Sequence, residues 1–396
     1  MNSRMTRTRV SGILLFVFVV CIARLDGEAV TVSSPLDYQV FQRQSRERGT
    51  ILVRGHASTN ARRVLVCVKG QSISGPLPGR WTELPLDHST GEFNASVGVV
   101  AGGFYSVEIQ LRNGRYLVGS VTIPHVGVGE VFVISGQSNS TNYGEVLQTS
   151  ETGMVATFSG ESWRIANDPQ PGTQDDSKKG SFIPAFGDAL YHRYQVPIGV
   201  ASVGHGSTSV RQWLPAGEPI DVMPTTTKYV IRTSDGLLVS DGALFNGMMH
   251  RIEQLGPHGF RAVLWHQGES DSHQPAGHEI TPAEYGRMLE SVILSVRKTA
   301  GWEIPWFVAE VSYHNPEDPS NPGLREVQQS LWKSHLALEG PDTDTLTALY
   351  RQNNGKGTHF SGAGLHAHGL LWARAVEPWL DGVISGQEHP VNSSAR

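Results

Sequence analysis

From about residue 30 to about residue 125, apolar and polar positions alternate over short stretches, each bounded by turn-forming residues. Thr50-Ile51-Leu52-Val53-Arg54-Gly55, Arg63-Val64-Leu65-Val66-Cys67-Val68 and Tyr105-Ser106-Val107-Glu108-Ile109-Gln110-Leu111 are rich in the β-branched residues that suit a pleated, half-buried surface. Lys69-Gly70, Ala101-Gly102-Gly103 and Asn113-Gly114 flank these runs, where the chain must reverse. The pattern predicts strands and no helix, packed as a small Ig-like β-sandwich domain over 30–126.

After Gly127-Val128-Gly129-Glu130 the texture changes. Apolar runs at 131–134, 197–203, 261–265 and 305–311 are short and apolar at consecutive positions, as strands covered on both faces are. Longer stretches with helical periodicity follow them at 182–194, 243–254, 282–297 and 324–338. A last helix over 362–380 carries Leu365, Leu370, Leu371, Trp372, Val376 and Trp379. This alternation predicts an α/β domain with a parallel sheet over 127–385. Residues 386–396 are polar, have no apolar period and read as a disordered tail.

Composition narrows the picture. A chain of 396 residues suffices for two domains whose cores need no covalent staples. The net charge is -5, and there is no dense Lys/Arg block beyond the first ten residues, so a nucleic-acid partner is not expected. Arg4, Arg7 and Arg9 precede the apolar run from Gly12 to Val20, which reads as a signal peptide over 1–29. That run is short for a membrane span. Cleavage after Ala29, or else after Ala23, would leave a secreted or periplasmic chain. A lipid anchor at Cys21 is disfavoured by the bulky Val20 before it. Cys67 would then be the sole cysteine, so no intrachain disulfide is expected. Asn94, Asn139 and Asn392 stand in glycosylation patterns, yet Asn139 adjoins the candidate nucleophile Ser138, where a glycan would block access, which favours a bacterial origin.

The chemistry gathers after the strands. In an open parallel sheet, ligands bind beyond the carboxyl ends of the strands. Three such ends lead into Ser135-Gly136-Gln137-Ser138-Asn139, Gly204-His205-Gly206-Ser207-Thr208 and His266-Gln267-Gly268-Glu269-Ser270-Asp271. Ester hydrolysis needs a nucleophile, a base, and donors aimed at the developing oxyanion. Ser138 supplies the hydroxyl. The backbone N–H groups of Ser138 and Gly206 and the side-chain amide of Gln267 supply three donors, and losing one such donor costs about 3–4 kcal/mol of transition-state stabilisation. His359, in Gly357-Thr358-His359-Phe360-Ser361, is the best-placed base. Asn139 and Trp213 are candidate substrate contacts, while the other tryptophans lie in apolar-periodic segments and read as core. Each signal alone is weak: a single Gly-x-Ser run is often only a turn, and among 16 histidines one is more often structural than catalytic. His266, Glu269, Asp271 and His273 offer metal ligands, as do His359, His366 and His368. His366 and His368 are two apart on a predicted helix and face different ways, so neither metal nor cofactor is expected. Long connections at 168–180 and 215–237 are candidates for setting specificity.

Taken in order, Gly136-Gln137-Ser138-Asn139, the run Gly206-Ser207-Thr208-Ser209-Val210-Arg211-Gln212-Trp213, Trp265-His266-Gln267-Gly268-Glu269-Ser270-Asp271 and Thr358-His359-Phe360 resemble the sialate O-acetylesterase group of the SGNH (GDSL-like) hydrolases, which also holds acetyl xylan esterases. Leu244-Phe245-Asn246-Gly247-Met248 is similar to a segment of the same relatives. The resemblance covers about 128–380. It implies a flavodoxin-like three-layer α/β/α domain, Ser138 as nucleophile, His359 as base, no metal, and Glu269 as a residue that orders the nucleophile loop. The chain departs from the pattern at Ser207, where relatives carry glycine, and at Lys356, where many carry the aspartate that orients the histidine. Glu269 and Asp271 are the first candidates for that missing role, with Asn353, Asn354 or a backbone carbonyl behind them, and a Ser-His dyad is acceptable chemistry. The resulting expectation is an exported carbohydrate O-acetylesterase acting on sialic acid or on a plant or algal polysaccharide. The alternative is a secreted glycan-binding protein whose site has lost its chemistry.

Overall fold

The computed structural model describes residues 30–58 and 60–386. The expected signal peptide at 1–29 and, but for Gly386, the expected tail lie outside the described residues. Strands β1 (Val30–Ser34), β2 (Val40–Gln42), β3 (Arg48–Ala57), β4 (Arg63–Lys69), β5 (Trp81–Leu84), β6 (Glu92–Val100) and β7 (Gly102–Asn113) occupy the β-rich region. The three runs read from sequence fall within β3, β4 and β7. β1, β3 and β6 form one antiparallel sheet, and β4 pairs antiparallel with β5 and β7 in another. Alternation turns Ile51 and Val53 of the first sheet and Val64, Val66, Val107 and Ile109 of the second into one buried apolar cluster.

β8 (Tyr116–Gly136) joins this region to the α/β region. It pairs antiparallel with β7 as far as Val128↔Gly102, and then runs parallel to two later strands. The change of texture near residue 127 therefore falls within one continuous strand. Beyond it come β9 (Val155–Phe158), β10 (Trp163–Ile165), α1 (Ile183–Tyr194), β11 (Ile198–Ser202), α2 (Ala243–Leu255), β12 (Ala262–His266), α3 (Pro282–Ala300), β13 (Trp306–Glu310), α4 (Pro322–Lys333), β14 (Leu338–Asp342) and α5 (Gly362–Ile384). The sheet order is β10-β9-β11-β8-β12-β13-β14, parallel except for β10.

Consecutive apolar residues serve both faces of this sheet. Phe132 and Ile134 pack with Val200, Leu264 and Phe307 and with α1 and α5 through Phe186, Leu190, Trp372 and Val376. Val131 and Val133 pack with Val263, Trp265 and Val308 and with α2, α3 and α4 through Met248, Leu289 and Leu331. Helix ends carry clear stop and start signals. Thr281 and Glu284 form a capping box on α3, whose far end is Gly301 in the left-handed conformation. Ser361 caps α5 through the Gly364 N–H, which fixes the chain just after His359. The helix predicted over 324–338 stops at Lys333, because His335 has a positive φ of 58°, and the apolar run beyond enters strand β14 instead.

Candidate active site

Gly136 ends β8 with φ +126°, and a Cβ there would lie 2.1 Å from the His266 carbonyl oxygen, so only glycine lets β8 and β12 meet at this point. The chain then folds into a short 3-10 turn, Ser138–Ser140, closed by Ser140 N–H to Gln137 O and Thr141 N–H to Ser138 O. Gln137 Oε1 accepts from the Ser270 N–H at 3.0 Å and ties this turn to the loop after β12. Ser138 is 4 % exposed, and among the described residues its hydroxyl makes no hydrogen bond. Asn139 Nδ2 donates to Glu269 Oε1 at 2.8 Å and to the Thr358 carbonyl at 3.4 Å. The residue after Ser138 thus touches the residue before His359. The Tyr143 ring lies 5.1 Å from the His359 ring, and the Glu145 N–H bonds Phe360 O at 2.9 Å.

His359 comes from a hairpin-like segment braced by Arg351. That buried guanidinium donates to the carbonyls of Thr343, Leu346 and Thr358 and lies over the rings of Tyr313 and Phe360 at 3.8 and 4.3 Å. Burial, with Lys179 and Arg351 nearby, pushes the His359 pKa down to about 4, which leaves the ring neutral and able to accept a proton at ordinary pH. His359 Nδ1 lies 3.0 Å from the side-chain amide nitrogen of Gln352, a residue the sequence reading passed over. A contact seven residues back has no helical or strand periodicity to announce it.

The loops deliver the other residues with differences from expectation. The Gly206 N–H donates to Asp175 Oδ2 at 2.6 Å, so a carboxylate from the long 168–180 connection occupies that donor. Gln267 is wholly buried, and its Nε2 donates to Asp271 Oδ2 at 2.6 Å and to Thr208 O at 3.1 Å. Its amide is thereby turned to its own loop and not toward an open crevice. Asp271 also accepts from Ser209 Oγ and the Val210 N–H and faces Arg211 at 3.6 Å. Burial raises its pKa. Neither Asp271 nor Glu269 hydrogen-bonds His359 among the described residues, and Asn353 and Asn354 are exposed at positive φ. Trp213 is wholly buried against Trp265, 5.2 Å between ring centres, with its Nε1 donating to Thr208 Oγ1. It belongs to the core beneath the loops, and its ring presents no face to a sugar.

Glu269 is only half satisfied. Only Oε1 is bonded, Oε2 has no partner among the described residues, and burial lifts its pKa to about 7. His266 Nδ1 stands 3.7 Å away, but burial drives that imidazole down to about 3. Between those two values both groups are neutral, so the contact is not an ion pair. Among the described residues no group of three or more His, Cys, Asp or Glu side chains is arranged to hold a metal ion.

A family model described as carbohydrate esterase, sialic acid-specific acetylesterase matches residues 128–377, more than half of the chain. No curated protein matches it. Among solved structures, a carbohydrate acetylesterase from Xanthomonas citri is 19% identical, with a TM-score of 0.55 over 90% of this chain and 76% of that one. A protein from Arabidopsis thaliana is 18% identical, with a TM-score of 0.44 over 63% of this chain and 98% of that one. A carbohydrate esterase family 2 enzyme with its carbohydrate binding domain, from Corynascus thermopiles (Myceliophthora fergusii), is 14% identical, with a TM-score of 0.35 over 90% and 94%. The likeness to the Xanthomonas citri enzyme is one of fold, a mixed α/β architecture with large sheets and helices.

Proposed function

The chain belongs to the carbohydrate esterase, sialic acid-specific acetylesterase family and is a carboxylic ester hydrolase; from that premise we propose that Ser138 is its nucleophile and His359 its base. The observation that carries this reading is the Asn139 contact with Thr358, which sets the Ser138 turn beside His359 at the carboxyl end of the central strand. Ser138 Oγ attacks the acetyl carbonyl while His359 Nε2 takes its proton. The imidazolium then protonates the departing sugar oxygen, leaving an acetyl ester on Ser138. Water, deprotonated by the same imidazole, attacks that ester and releases acetate. In resting enzymes the serine–histidine bond is commonly loose and tightens with substrate, which accords with an unbonded Ser138 hydroxyl.

The oxyanion is received by the N–H groups of Ser138 and Gly206, the second after Asp175 withdraws. Gln267 joins them only if its amide leaves Asp271; in its present position it holds the Gly206-Ser207-Thr208 loop through Thr208 O. Glu269 orders the nucleophile loop through Asn139. Asn139, with its side chain committed there, is a positioning residue in this reading, not a substrate contact. The finer architecture belongs with it: an SGNH-type flavodoxin-like domain over 127–385, its sheet covered by helices on both faces, preceded by an Ig-like β-sandwich over 30–126. So do removal of residues 1–29, a secreted or periplasmic site of action, and acetylated sialic acid or polysaccharide as substrate.

The occupied donors at Gly206 and Gln267 favour one rival reading, a glycan-binding protein without turnover. Acetate release from 4-nitrophenyl acetate and from a panel of acetylated glycans separates the two. Turnover by the wild type and none by Ser138→Ala supports the esterase mechanism. Glycan binding with no acetate from any substrate supports the rival.

A further inference from the structure

We propose that the Gln352 side-chain amide orients His359, filling the role left open by Lys356. The proposal rests on His359 being the base. Its grounds are geometric. The Gln352 N–H donates to the His359 carbonyl at 2.9 Å, next to a bridge between Arg351 and Phe360, so the two residues lie side by side across a closed hairpin. Asn353, Asn354 and Gly355 turn that hairpin with φ of 55°, 57° and 86°, and the Gly357 N–H closes it on Gln352 O at 3.0 Å. A Cβ on residue 357 would lie 2.3 Å from Gln352 Cγ, so the Gln352 side chain passes tightly over Gly357 on its way to Nδ1. Arg351 anchors the hairpin to the sheet-end loops. The amide therefore reaches Nδ1 from a backbone fixed on both sides.

The charged and titratable groups around the ring are Lys179 and Arg351, Tyr143 against its face with Asp175 and Asp176 near that phenol, and Glu145, which accepts from the Asn353 N–H. Among the described residues no carboxylate bonds the ring. An amide offers two ends that exchange by a half-turn about Cγ–Cδ. With its carbonyl toward the ring it accepts from Nδ1–H, which leaves the Nε2 lone pair free to take the serine proton. With its N–H toward the ring it would leave the proton on Nε2 and block the base. The structure has the amide nitrogen toward Nδ1, the second arrangement; the catalytic form is the first, reached by that half-turn. Such a partner fixes the tautomer as an aspartate does but places no negative charge against the imidazolium. Burial, with Lys179 and Arg351 nearby, keeps the ring neutral well into acid, and an uncharged amide does nothing to reverse that.

The test uses the full chain, with kcat and KM for 4-nitrophenyl acetate measured across pH for the wild type, Gln352→Glu, Gln352→Leu and His359→Ala, together with thermal melting. Gln352→Leu is expected to lower kcat by about 100-fold with KM little changed. Gln352→Glu restores a charge beside the ring, and it is expected to keep turning over while the acid limb of kcat/KM moves to higher pH by about one unit or more. The second variant carries the test even where the leucine disturbs the hairpin. Wild-type kcat and pH profile in Gln352→Leu, or an unmoved acid limb in Gln352→Glu, overturns the orienting role alone. Turnover retained in His359→Ala overturns that role and the assignment of the base together.

Discussion

Glu130 and Glu269 are buried carboxyl groups at opposite ends of the parallel stretch of β8, and their surroundings differ in kind. Glu130, at the start, receives Arg43 Nε at 2.6 Å, Arg261 Nε at 2.7 Å and Gln42 Nε2 at 2.8 Å, and these partners outweigh burial to hold its pKa below the ordinary carboxyl value. Glu269, beside the other end, receives one Asn139 amide bond and is driven up to about 7 by burial. The first arrangement ties β8 to β2, through Gln42, and to the chain before β12, through Arg261. The second leaves proton-binding capacity unmatched beside Ser138. A buried charge that is fully paired reads as a fastening, and a buried acid that is underpaired reads as part of a working site.

His359→Ala acts at the working end and should lower kcat by about 10²- to 10⁴-fold with the melting temperature unchanged. Glu130→Ala acts at the fastened end and should cost about 3–5 kcal/mol of folding stability, because it strands two arginines, with kcat per folded molecule unchanged. A Glu130 variant that folds normally but loses kcat would break the contrast.

The two carboxyls should also respond to pH with opposite signs. A lowered pKa means that the Glu130 contribution is present above the ordinary value of 4.5 and is lost as pH falls through the folded value. A raised pKa means that native Glu269 holds a proton the unfolded chain has released between 4.5 and about 7. Its contribution is full below 4.5 and lost as pH rises through about 7. The depressed imidazoles His359 and His266 slope the other way in part of that window, so the quantity to compare is wild type minus Glu269→Gln. Urea unfolding of the two should show the wild type losing on the order of 2 kcal/mol relative to the variant from pH 4.5 to 7. A parallel pair of curves would contradict the account of Glu269. The smallest effect expected is at Asp175. Asp175→Ala removes the carboxylate that competes for the Gly206 N–H, a bond worth on the order of 1 kcal/mol net, and should raise kcat about fivefold.

Local signals made much of this legible in the chain itself. The consecutive apolar residues 131–134 announced a strand covered on both faces, and Thr281 and Gly301 bound α3 close to the predicted span. Their loops and their order along the chain single out Ser138 and His359 for the roles proposed for them. What escaped the reading depends on partners far apart in sequence. Nothing in Gln42 or Arg43 points to Glu130, and nothing in Asp175 points to Gly206. Gln352 meets His359 across a hairpin that no helical or strand period marks, while Trp213 follows a site loop in sequence but turns into the core. β9 and β10, four and three residues long, carry too short a pattern to read, and β14 is masked because the apolar pattern of α4 runs on into it.

The proposed mechanism requires Ser138 to be an activated nucleophile. Labelling the folded full-length chain with a fluorophosphonate and mapping the adduct by peptide mass spectrometry tests it most directly. The expected result is one stoichiometric adduct on Ser138, formed in step with loss of acetate release and absent from Ser138→Ala. An unlabelled Ser138 in a preparation that still releases acetate, or an adduct that inactivates the protein from another serine, would contradict it.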